Sequence, residues 1–293
     1  MRQASGKASG PTVDSAAASR RRRSGGAAAA ATLWLLLAAM ASPGMAATGM
    51  SPEEAAAVIA RTRQWVQGYM ESLPNFTCRK AIRVFVVPAI RRPELRDWAV
   101  EIPKWVLSRR GVKPRIDESE WLVRMLKGGR ESYEWIGGNQ RGHGWGFFGH
   151  WLKALFGQKY PTEFEWIEDG RLRGYAVHVF RTVTPRNFCQ YGGRAGDDIV
   201  LVGFQGKIYI DRDSGRVLRY VAEEPIGLPK RHRVKSGRML FDYDYREIGD
   251  EVALLPVKSL AYTRYRGRST LAESTFHQYR EYQAETRLDF GEQ

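Results

Sequence analysis

The sequence predicts an α+β fold, an antiparallel sheet built as a long meander with two helical segments packed on one face. Three observations point to it. After about residue 75 most runs alternate apolar and polar residues and are separated by Gly, Asp and Pro turns. A stretch near residue 51 has a full helix start signal followed by helical spacing, and a short aromatic stretch near residue 150 has helical spacing too. Strands joined in sequence by tight turns pair antiparallel, and the helices must then bury one face of the sheet.

Taken in order, the first 46 residues read as a signal peptide with a polar N-terminal extension. Arg20 to Arg23 precede an apolar run from Ala27 to Met40, and small residues surround Gly44 and Ala46. The run is too short for the roughly 20 apolar residues of a membrane span, and Pro43 and Gly44 end it. Cleavage near Ala46 removes six basic residues and Asp14, taking the net charge from +14 to +9 and leaving residues 47–293 as one domain. Localisation is therefore expected to be secreted or periplasmic. A nucleic-acid partner is not expected, because export separates the chain from nucleic acid and no basic, aromatic-interleaved motif is present. The positive charge suits an anionic membrane surface better.

Ser51-Pro52-Glu53-Glu54 predicts a helix with Ser51 as N-cap and a capping box closed by Glu54. Val58, Ile59, Thr62, Trp65, Val66, Tyr69, Met70 and Leu73 then fall on one wide apolar stripe, and Leu73-Pro74 ends the helix. Phe76 to Val87 reads as a strand with Phe76, Cys78, Ile82, Val84 and Val86 on one face and Arg79 and Arg83 on the other. Prolines break the pattern from Pro88 to Asp117, a long excursion of the kind that forms lids or binding loops. Trp121 to Met125 and Tyr133 to Trp135 pair about Gly128-Gly129. A glycine-rich loop then leads into a short apolar helix carrying Phe148, Leu152, Leu155 and Phe156.

Phe164 and Trp166 lead to expected turn residues at Glu168-Asp169-Gly170, with Tyr175 to Val179 returning. Gly203 to Glu224 is the best-defined hairpin, with Asp213-Ser214-Gly215 at its turn. Two further strands pair about Gly249-Asp250, and a last one starts at Ser269.

Several of these stretches resemble a known group. Leu73 to Cys78, Gly129 to Tyr133, Lys207 to Arg219, Leu255-Pro256-Val257 and Phe276 to Arg280 look like a group of uncharacterised secreted bacterial proteins. The Tyr209-Ile210-Asp211 hairpin also resembles that of periplasmic lipoprotein carriers with the LolA/LolB-like fold. That resemblance implies a strongly curved antiparallel sheet, an open half-barrel covered by the N-terminal helix and the short middle helix, with an apolar cavity between. The expected partners are a lipid or the acyl chain of a lipoprotein, with a membrane surface as a further one. Phe147, Phe148, Trp151, Leu152, Leu155 and Phe156 are the candidate cavity lining, and Lys230, Arg231 and Arg233 the candidate headgroup or membrane contact. The oligomeric state is left open.

Catalytic and metal motifs are weak. His143 and His150 are spaced seven apart in a glycine-rich segment with no carboxylate or Cys between, so neither a metal nor a cofactor is expected. His178, between two valines, is expected at solvent or an edge, and Asp242 and Asp244 on a solvated strand face. Cys78 and Cys189 are disulfide candidates in an oxidising compartment; otherwise Cys78 is a small core hydrophobe and Cys189 a loop residue. The leading reading is a non-enzymatic envelope protein that binds an apolar or acyl chain. The alternatives are an envelope interaction module with a filled core, and a hydrolase with a scattered site.

Overall fold

The capping box forms as the sequence requires. Ser51 N donates to Glu54 Oε2 at 2.8 Å, and Glu54 N donates to Ser51 Oγ at 3.2 Å, starting α1 at Pro52–Ser72. The structure is a computed structural model that describes residues 49–88, 115–126, 128–140, 147–191, 200–230, 234–265 and 267–282. The expected signal peptide, Arg231, Arg233, His143 and most of the proline-rich excursion lie outside the described residues. Among the described residues no helix is long and apolar enough to cross a membrane.

The strands follow in chain order: β1 Phe76–Pro88, β2 Arg115–Leu126, β3 Arg130–Gly138, β4 Glu163–Leu172, β5 Tyr175–Val183 and β6 Cys189–Tyr191. They continue with β7 Val200–Asp211, β8 Val217–Ile226, β9 Val234–Ile248, β10 Glu251–Tyr265 and β11 Arg268–Glu281. The second helix, α2, is His150–Phe156. All pairings are antiparallel, in the order β3-β2-β1-β11-β10-β9-β8-β7-β5-β4, with β6 added to β7. The sheet is open, ending in β3 and β4 among the described residues.

Its curvature follows from where α1 touches it. The first turns of α1 lie beside Phe164 and Trp166 of β4, while Met70 near its end packs against Gly129 in the β2–β3 turn. Ala56 and Met70 are about 21 Å apart along a helix at ~1.5 Å per residue. A flat sheet would put β3 and β4 about 43 Å apart, nine steps of ~4.8 Å. One helix can reach both edges only if the sheet wraps around it. Tyr69 Oη, donating to the Leu254 carbonyl at 2.6 Å, ties α1 to β10 in the middle of the concave face. Gly149, at φ 114°, lets α2 come up beside α1; a Cβ there would sit 2.7 Å from Met70 Cγ.

Two expectations are corrected here. The turn after β4 is not at Glu168 to Gly170: β4 runs on through a bulge at Trp166/Glu168 and turns at Arg173 and Gly174, φ 51° and 91°. Consecutive positive φ values make a turn whose twist matches the hairpin. Arg173 tolerates this conformation while its guanidinium donates to the Leu218 and Tyr243 carbonyls. Asp169 stays in the ladder because Trp166, His178 and Arg212 all bind its carboxylate.

The second correction concerns Asp242, which is 4 % exposed rather than solvated. It receives a bidentate pair from Arg219 at 2.5 and 2.8 Å. In register it stands opposite Lys258, which pairs with Glu273 at 2.7 Å; Glu273 in turn stands opposite Arg83, paired with Glu118 at 3.0 Å. Charges therefore alternate in sign across six strands on the face away from the helices. The inner end of this ladder is buried and the outer end exposed.

Candidate functional site

The aromatic stretch from Phe147 to Phe156 lies in the core under the helices. Phe147, Phe148, Leu152, Leu155 and Phe156 are buried, and Trp151 is half-buried. Their neighbours are rings of the sheet. Phe148 meets Phe76 at 5.3 Å and Phe276 at 5.7 Å, Trp151 meets Phe241 at 5.4 Å, and Phe156 stacks on Phe164 at 5.0 Å. The six residues are thus brought together, packed against protein.

A polar group underlies that packing which the alternating pattern of β1 carries and the sequence reading passed over. Lys80 falls on the same face as Cys78 and Ile82 and is fully buried. Its ammonium sits 4.1 Å from the Phe147 ring centroid, 5.3 Å from that of Tyr133 and 5.7 Å from that of Phe276. Burial pushes Lys80 down to about 7, against the opposing pull of the Glu131 carboxylate. Glu131, its side chain 6 % exposed, accepts from Tyr133 Oη at 2.6 Å and from Phe148 N at 3.3 Å, and lies 3.1 Å from His150 Nδ1. One carboxylate on β3 therefore holds the backbone at the start of the aromatic stretch and the first residue of α2.

Cys78 is a free thiol on this face, pushed up to about 12 chiefly by burial. Cys78 packs in the main core at 1 % exposure. The Cys189 side chain lies outside the described residues.

The histidines are not simply exposed. His178, expected at solvent, is 11 % exposed and lies 2.7 Å from Asp169. Asp169 is held below its ordinary carboxylate range by hydrogen bonds from His178 and Trp166 and by the nearby charge, which outweigh a raising contribution from burial. No hydroxyl or thiol nucleophile is hydrogen-bonded to the His178 or His150 ring among the described residues. No group of three or more His, Cys, Asp or Glu side chains suited to a metal occurs among them either.

Open space lies at the other end of the core. A groove of about 500 Å³ runs between the first turns of α1 and β4. Ala55, Ala56 and Ile59 form one wall, and Phe164 and Trp166 the other. Met50 also lines it, and Arg63 and Glu165 are its charged members. Glu165 pairs with Arg181 at 3.1 Å, while Arg63 Nε donates to the Phe156 carbonyl at 3.1 Å. The groove was not legible locally, since its walls come from segments about 110 residues apart. Of the basic trio, Lys230 is exposed, its carbonyl accepting from Lys235 Nζ.

In comparisons with known proteins, no family model matches and no curated protein matches. The chain is similar to solved structures of several bacterial proteins. A LolA superfamily protein from Nitrosomonas europaea is matched at 8 % identity and a TM-score of 0.30, over 79 % of this chain and 94 % of that one. A domain described as outer membrane lipoprotein-sorting from Vibrio parahaemolyticus is matched at 10 % identity and 0.32, over 80 % and 94 %. A DUF1329 family protein from Desulfovibrio piger is matched at 10 % and 0.32, over 82 % and 95 %. The likeness concerns the fold, so any function must be argued from this chain's own residues.

Proposed function

We propose that this is an exported, non-enzymatic envelope protein that holds one apolar chain, the acyl tail of a lipid or lipoprotein, in the groove between α1 and β4. The observation that carries the reading is the groove: about 500 Å³ of space with apolar side chains on both walls and Arg63 and Glu165 among its lining, within the ~300–1,000 Å³ usual for small-ligand sites. The leader order of basic, apolar and small residues supports export. Arg63 at the groove and exposed Lys230, with Arg231 and Arg233 beside it in sequence, suit an anionic headgroup or membrane surface. The aromatic stretch is assigned a supporting role, as packing that holds α2 against the sheet. That same packing favours a second reading, an interaction module with a filled interior.

Titration with a dansyl-labelled fatty acid tests the proposal. Saturable binding is expected, and Ala56→Trp, an exposed helix position on the groove wall, should weaken it at least about tenfold. Absence of saturable binding by the parent protein would sink the acyl-chain reading in favour of the filled module.

A further inference from the structure

We infer that Phe164 is the residue that sets how long an acyl chain the groove accepts. The inference rests on the acyl-chain reading of the groove and goes beyond it by naming the determinant of specificity.

Phe164 is half-buried and has two faces at work. One lines the groove; the other stacks on Phe156 with ring centroids 5.0 Å apart and planes 19° from parallel. Phe156 is 2 % exposed and belongs to the main core, so the stacked pair is the partition between open groove and filled interior. The partition is braced from α1, because Arg63 Nε holds the Phe156 carbonyl. Around it the groove changes character: Ile59 is 8 % exposed, whereas Pro52, Ala56, Arg63 and Glu165 are exposed. An amphiphile entering here keeps its charged head at the exposed rim and drives its methyl end toward Ile59 and Phe164. Beyond Phe164 there is only packed protein, and additional methylenes must remain in water.

This geometry gives a definite length dependence. Each methylene buried strengthens binding about fourfold, until the chain meets Phe164 and the gain stops. Shortening Phe164 moves the stop inward, and enlarging it moves the stop outward.

A homologous series of saturated fatty acids displacing the dansyl-labelled fatty acid tests this. The parent protein should show affinity rising with length to a plateau. Phe164→Ala should shift the plateau to longer chains, tightening the longest at least about tenfold, and Phe164→Trp should shift it to shorter ones. Circular dichroism checks folding, and the Trp variant carries the test should the Ala variant unfold. Binding by the parent with a plateau that stays at the same length in the folded variants overturns the role of Phe164 while leaving the groove reading intact. No binding by the parent at any length overturns both.

Discussion

Glu131→Ala should cost about 3–5 kcal/mol of unfolding free energy, measured by urea or guanidinium denaturation, and should loosen the aromatic stretch. The substitution strips three groups of one acceptor: the Tyr133 hydroxyl, the Phe148 amide and His150. It also removes the carboxylate that favours the charge on buried Lys80. Amide exchange at residues 147–156 should accelerate with it. Lys80→Met should be much milder, no more than about 1.5 kcal/mol, since Glu131 keeps its donors and methionine fills a similar space among the rings. Equal, small losses from both substitutions would contradict this account of the cluster.

The same lysine gives stability a pH signature. Lys80 titrates near 7 in the folded protein, down from its ordinary 10.5, so between those values the unfolded chain holds a proton that the folded chain has released. Stability from this group therefore rises as pH climbs from about 7 toward 10.5, by an amount on the order of 5 kcal/mol, and the burial penalty is fully present below 7. Cys78, Tyr69 and Tyr133 work the other way at alkaline pH, because burial favours their protonated forms. Subtracting the Lys80→Met profile from that of the parent isolates the lysine. A flat difference between pH 7 and 10 would contradict its buried placement.

Asp242→Ala should be comparably damaging, about 3–5 kcal/mol, because it leaves the Arg219 guanidinium buried without its bidentate partner. At the exposed end of the same ladder the Arg83–Glu118 pair should contribute under about 1 kcal/mol in a double-mutant cycle. This gradient, rather than the number of ion pairs, is what the structure asserts about the outer face. Chemical denaturation of the two sets of variants checks it, and a ladder whose two ends cost the same would count against it.

Much of the fold is written in local signals. The capping box at Ser51, the Gly128-Gly129 turn and the Asp213-Ser214-Gly215 turn each specify their geometry within a few residues, and each forms where the sequence puts it. What escaped reading depends on partners distant in sequence. Lys80 sits on the apolar face of β1 by parity alone, yet its burial is stabilised by Glu131 and by Phe147 from segments about 50 and 65 residues away. Asp242 looks like a surface residue until β8 brings Arg219 beside it. The Glu168-Asp169-Gly170 turn signal lost to a bulge because three side chains from elsewhere hold Asp169 in the sheet. The aromatic stretch was legible as apolar and helical, whereas its ring partners Phe76, Phe241 and Phe276 come from strands distant in sequence.

The central claim is that an apolar chain lies against α1 and β4, and photoaffinity mapping tests it most directly. A fatty acid with a diazirine near its methyl end, crosslinked to the full protein and located by peptide mass spectrometry, should label Met50 to Arg63 and Phe164 to Trp166. Labelling confined to Phe147 through Phe156, or labelling that excess unlabelled fatty acid does not compete away, would contradict it.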